Sequence, residues 1–152
     1  MFKTRLLSGI ILVALALILI ISGGEILLVS TAMISMIGQY ELYRVFHVEK
    51  KAPGLLGYLF TAFYFADLEY SFLPDLEVAV IVFLILLLAV FVFSFPKYKA
   101  DQIMAAFFGI FYVSIMLSFI YQTRMIENGA YIVWLIFLCS WGCDTCAYCV
   151  GV

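Results

Sequence analysis

Val78-Ala79-Val80-Ile81-Val82-Phe83-Leu84-Ile85-Leu86-Leu87-Leu88-Ala89-Val90-Phe91-Val92-Phe93-Ser94-Phe95 runs for 18 residues without a charge and stops at Pro96. A helix rises about 1.5 Å per residue and the hydrocarbon core of a bilayer is about 30 Å thick, so a run of this length reaches across it. No water reaches the backbone in lipid, and every N–H and C=O must pair inside the segment. The alternating pattern of a membrane β-strand is absent, which makes this stretch a transmembrane helix.

The flanking sequence repeats the pattern. Spans are expected at about 6–22, 26–46, 55–66, 78–95, 103–121 and 130–149. Together they predict an all-α, polytopic transmembrane helical bundle of about six spans. The composition agrees: 67% of the 152 residues are apolar and 12% are charged, about half the charged share of a soluble domain. Such a chain cannot cover a water-facing surface. One membrane domain, 1–152, is expected, with no linker and no repeat. A net charge of −2 argues against nucleic acid as a partner. The first run follows Lys3 and Arg5 and precedes Gly23-Gly24, as in a secretory signal, but it is long for one and lacks a cleavage pattern. It is read as a retained helix.

Lysine and arginine counts set the orientation. With six spans, Lys3, Arg5, Arg44, Lys50, Lys51, Lys97 and Lys99 fall on one side and only Arg124 on the other. The N-terminus is then cytoplasmic, and the acidic stretch from Asp67 to Glu77 lies outside. The third segment has the shortest apolar core. If it dips into the interface instead of crossing, everything after it inverts.

Asp144 stands out against this background. It lies 14 residues into the last span, about 21 Å from its entry at Ala130, and the chain after it remains mostly apolar. An acid at that depth is costly and marks a functional candidate. Trp141, Asp144, Thr145 and Tyr148 follow the i, i+3, i+4, i+7 spacing of one helix face. The face offers a carboxylate, a hydroxyl, a phenol and an indole N–H, a donor set suited to a hard cation such as Mg2+. A solvated acid at a frayed helix end is the competing reading. Glu41, three residues before Arg44, is read as half of a surface ion pair. Cys139, Cys143, Cys146 and Cys149 hint at a zinc or iron–sulfur pattern, yet on a helix they form a stripe roughly opposite Asp144. Small apolar residues at a helix surface account for them better. His47 has no nucleophile beside it in sequence.

The run Trp141-Gly142-Cys143-Asp144-Thr145-Cys146-Ala147-Tyr148-Cys149-Val150-Gly151 resembles the W-[GA]-x-D-T-x-A-Y-x-x-G stretch of phosphatidate cytidylyltransferases, also called CDP-diacylglycerol synthases. Weaker likenesses follow in order: Lys3-Thr4-Arg5-Leu6-Leu7-Ser8-Gly9 at the basic N-terminus, Tyr40-Glu41-Leu42-Tyr43 at the end of the second span, and Gly109-Ile110-Phe111-Tyr112-Val113 in the fifth. The resemblance implies a polytopic enzyme, commonly a homodimer, that makes CDP-diacylglycerol and pyrophosphate from CTP and phosphatidate in phospholipid biosynthesis. It implies a divalent-metal site, Mg2+, opening to the cytoplasm, and a bacterial plasma membrane as location. It makes Asp144 the catalytic and metal-binding candidate, and Thr145 and Tyr148 the candidate substrate contacts.

Two departures qualify it. Cys146 stands where the family has a small residue such as glycine. The Lys-Asp and His-Gly-Gly…Asp-Arg-x-Asp segments that carry the family's main metal-binding acids do not occur in residues 1–152. The chain is therefore expected to be the N-terminal portion of a longer enzyme, inactive alone. A non-enzymatic membrane protein, such as a transporter subunit or an assembly partner, is the alternative; a different CTP-using lipid kinase or transferase is a third.

Overall fold

The computed structural model describes residues 2–73 and 75–151, without the side chains of 2–6, 8 and 149. All its regular structure is helical. The six helices are α1 (Phe2–Ser22), α2 (Gly24–Val45), α3 (Ala52–Tyr70), α4 (Leu76–Phe93), α5 (Ala100–Met125) and α6 (Gly129–Val150). Four of them, α2, α4, α5 and α6, are long and apolar enough to cross a membrane. Within α1, Gly9–Ser22, where the side chains are described without a gap, is a shorter apolar helix. The helix containing segment 55–66 extends beyond it at both ends, because Pro53 sits in the first turn, where a missing N–H costs nothing. With 19 residues α3 matches the others in length, but Asp67, Glu69 and its polar Thr and Tyr residues lower its hydropathy. It is a helical membrane bundle, as the apolar runs predict.

Two compact units divide the chain: residues 31–118, and residues 1–30 together with 119–152. In the first unit, the core gathers Tyr43 of α2, Phe83 and Leu87 of α4, and Ile103, Ala106 and Ile110 of α5. Val48 and Tyr98 join the same cluster from the α2–α3 and α4–α5 loops, so those two loops lie at one end of the unit. The Gln102 side-chain amide ties that end by donating to the carbonyl of Phe46 at 3.3 Å. Helix α3 ends at Ser71, whose N–H reaches the Asp67 carbonyl, while the Asp67 carboxylate accepts the N–H of Leu73 at 2.8 Å.

Helix α5 is not uniform. Ile110–Ile115 forms a π-helical turn between two α-helical stretches, Ala100–Gly109 and Met116–Met125. Such turns are rare and re-aim the side chains that follow them. Here the residues around it are Ala106 and Gly109 before, Ser114 within, and Ser118 after, each buried.

In the second unit the break between α1 and α2 falls at Gly23, whose φ of +60° suits glycine. Arg124 closes this corner. Its Nε donates to the Ile20 carbonyl at 3.0 Å, and its guanidinium packs beside Gly23. Ile20 is in the last turn of α1, where carbonyls lack helical partners and the dipole favours a cation. The one basic residue that the charge count put on its own is thus a helix cap.

Candidate functional site

Asp144 sits on α6, which continues for six residues beyond it to Val150. The helix is intact at this point, not frayed. Asp144 and its neighbours Trp141 and Thr145 line one groove with Gly9, Leu12 and Val13 of α1, about 370 Å³ in volume. Three of the four residues predicted to share a face therefore open on one space. Tyr148, one turn further, is exposed on the same helix and is not part of that lining.

The polar groups here are unequally engaged. The Thr145 hydroxyl donates to the Trp141 carbonyl at 2.7 Å, one turn back on its own helix. Its proton is committed, and its lone pairs remain as acceptors or ligands. Asp144 is exposed and has no ion pair among the described residues. Trp141 stacks edge-on against Phe137, with ring centroids 5.2 Å apart, which fixes the indole beside the carboxylate. The groove is otherwise apolar: it offers a single carboxylate next to surfaces that suit hydrocarbon.

Among the described residues no three His, Cys, Asp or Glu side chains stand close enough to hold a metal on their own. Mg2+ does not need such a cage. It commonly takes one or two carboxylates and completes its shell with water and substrate phosphates. Asp144, with the Thr145 oxygen behind it, fits that role as one protein ligand. The cysteines do not form a cluster: Cys139, Cys143 and Cys146 are exposed free thiols along one helix, and the side chain of Cys149 lies outside the described residues, as do those of Lys3 and Arg5. Glu41 and Arg44 meet at 4.0 Å, both exposed, the weak surface pair expected of them.

The first unit holds a polar feature that the sequence reading passed over. The Tyr43 hydroxyl donates to the Ala106 carbonyl at 2.6 Å and accepts from the Gln39 amide at 2.7 Å. Thr61 donates to Gln39 Oε1 at 2.8 Å and lies 2.9 Å from the Ser114 hydroxyl. Thr61 has one proton and spends it on Gln39, so Ser114 is the donor in that last contact. A second link joins Tyr64 to Ser118 at 2.7 Å, with Ser118 donating on to the Ile115 carbonyl. The signal was present as Thr31, Ser35, Gln39 and Tyr43, four residues at i, i+4 spacing on one face of α2. Of these, the Ser35 hydroxyl is buried and has no hydrogen-bond partner among the described residues.

The comparison with protein families bears on which chemistry this bundle serves. The Cytidylyltransferase family matches residues 3–152, and the chain belongs to that family. No curated protein and no solved structure matches the chain. Membership bears out the resemblance drawn from the Asp144 stretch. With its long apolar helices, that makes the protein a membrane-type member of a nucleotidyltransferase-type family.

Proposed function

We propose that this protein is a phosphatidate cytidylyltransferase, which converts CTP and phosphatidate to CDP-diacylglycerol and pyrophosphate. The observation that carries the reading is Asp144, an acid on an apolar helix, lining a groove whose other walls suit a lipid. A phosphatidate phosphate oxygen attacks the α-phosphorus of CTP; the new P–O bond forms as the α–β bond breaks and pyrophosphate leaves. Four phosphate groups then crowd together, and a divalent cation such as Mg2+ supplies the charge neutralisation they need. Asp144 would hold that cation as one carboxylate ligand, with substrate phosphates and water as further ligands. Tyr148 would donate its phenol proton to a phosphate or headgroup oxygen, and Thr145 would offer its oxygen lone pairs to the cation or to a headgroup donor. The charge count supports a site facing the cytoplasm, where CTP is; the bacterial plasma membrane and the homodimer rest on the family resemblance alone.

The test is an assay of labelled CTP incorporation into CDP-diacylglycerol by the full-length protein. Asp144→Asn is expected to lower kcat by 100-fold or more, the order lost when an electrostatic stabiliser is removed. It should also raise the Mg2+ concentration for half-maximal rate. Unchanged activity and unchanged Mg2+ dependence would reject Asp144 as the site.

A further inference from the structure

A second groove, in the 31–118 unit, has a different character. It runs along one face of α5 past Asp101, Met104, Phe107, Phe108 and Phe111, with Phe46 from the end of α2 as its other wall. Its volume is about 540 Å³ and its walls are apolar apart from its first residue. From Asp101 to Phe111 the groove extends about 15 Å along the helix. Met104 and Phe108 are more than half exposed in it, so it is open to the surrounding phase.

One end of this groove is basic. It begins at the start of α5, directly after Lys99, and at Phe46, directly before His47. The α2–α3 and α4–α5 loops meet at that end through Val48 and Tyr98. The loops bring His47, Lys50, Lys51, Lys97 and Lys99 to it, and the last turn of α2 adds Arg44. Three acids are close by, and each is engaged or turned inward. Glu41 faces Arg44. Asp101 accepts the N–H of Gln102 at 2.9 Å, in the first turn of its own helix. One carboxylate oxygen of Glu49 is buried. The four lysines have no ion pair among the described residues, and Lys97 rests over the Tyr98 ring, 5.5 Å from its centroid.

We infer that this groove with its basic end is a binding site for an anionic phospholipid of the surrounding leaflet, distinct from the Asp144 groove. One acyl chain lies along Met104, Phe108 and Phe111, and the phosphodiester meets Lys97, Lys99 and the α2–α3 loop. Apolar length and positive charge are both needed: either alone would take any lipid, or any anion. Lysines near a membrane surface each add measurably to binding of acidic headgroups. The site does not rest on the cytidylyltransferase reading.

Phosphatidylglycerol tests the site, because it carries one phosphate and is not the proposed substrate. The full-length protein in non-ionic detergent is offered equal amounts of phosphatidylglycerol and phosphatidylcholine with the same acyl chains, and retained lipid is counted by native mass spectrometry. The wild type should favour phosphatidylglycerol by roughly tenfold. High salt should erode that preference in the unaltered protein, a readout that needs no variant. Lys97→Gln with Lys99→Gln should bring the ratio towards one, and the paired Lys→Arg variant should keep it. Met104→Trp should reduce retention of both lipids. Equal retention of the two lipids by the wild type overturns the site. So does a ratio unmoved by the Lys→Gln pair in a protein of normal helical content, or competition by inorganic phosphate alone.

Discussion

The Tyr43 hydroxyl reaches the Ala106 carbonyl across 63 residues of sequence, at 2.6 Å, and ends a chain of hydrogen bonds that starts at Ser114. The chain runs Ser114, Thr61, Gln39, Tyr43, Ala106, so α2, α3 and α5 each contribute donors and acceptors. In lipid a helix pair gains nothing from burying apolar surface, since the lipid is equally apolar. Packing and interhelical hydrogen bonds supply the association instead. The order of donors makes Thr61 the link that joins Ser114 of α5 to Gln39 of α2.

Thr61→Val, nearly the same shape, should therefore lower the unfolding midpoint in detergent, with a cost of about 1–2 kcal/mol from leaving Gln39 and Ser114 short of a partner. Thr61→Ser should recover most of it, and Tyr43→Phe should resemble Thr61→Val. Thermal unfolding followed by circular dichroism reads all three. A Thr61→Val midpoint equal to the wild type would mean the chain contributes no net stability.

Steric room around the same tyrosine gives a larger effect. A Cβ at Gly109 would come within 2.6 Å of the Tyr43 ring, and one at Gly57 would meet the Tyr43 hydroxyl. Tyr43 is fully buried and its hydroxyl is held by two hydrogen bonds, so the helices must separate. Gly109→Val should cost about 3 kcal/mol or more, the upper range for overpacking, and Gly57→Ala a comparable amount. Gly142 has open space at the same position, and Gly142→Ala should be tolerated. Expression level and detergent stability of the three variants check the ranking.

These contacts show where sequence reading succeeds and where it stops. The run from Val78 to Phe95 declared itself because a segment in lipid must be apolar along its whole length. Helix α3 was harder, since Tyr58, Thr61, Tyr64 and Asp67 dilute its hydropathy, and two of these polar residues are the ones spent on interhelical bonds. Asp144 was legible as an acid out of place, and Trp141 and Thr145 as its neighbours by spacing. Gly9 was not, because a groove between α1 and α6 depends on tertiary packing that no local pattern encodes. The π-helical turn at Ile110–Ile115 left no sequence mark that we can identify.

Arg124 offers a test of the second unit on its own. Its Nε satisfies the Ile20 carbonyl at the end of α1, and its charge faces the negative end of that helix dipole. Arg124→Met keeps the apolar stem and removes both effects, so a loss of about 1–2 kcal/mol is expected. Arg124→Lys should fall between, retaining charge without the planar donor. Proteolysis at the α1–α2 corner, around Gly23-Gly24, should rise in the same order. Equal protease resistance in Met and wild-type forms would show that the cap does not hold the corner.

Gly9 separates lipid access from folding at the Asp144 groove. A side chain there would meet nothing within 4 Å, yet the residue lines the groove opposite Asp144, Trp141 and Thr145. Gly9→Leu should leave the fold intact, since leucine favours a helix by up to about 0.8 kcal/mol over glycine. It should also fill much of the space beside the carboxylate. If phosphatidate enters through this groove, its KM should rise by tenfold or more while the KM for CTP stays near the wild-type value. A fall in kcat with both KM values unchanged would place the lipid elsewhere and leave Asp144 with a nucleotide or metal role alone. Thr145→Val serves as the internal comparison: its proton is already committed to the Trp141 carbonyl, so it should move activity far less than Asp144→Asn.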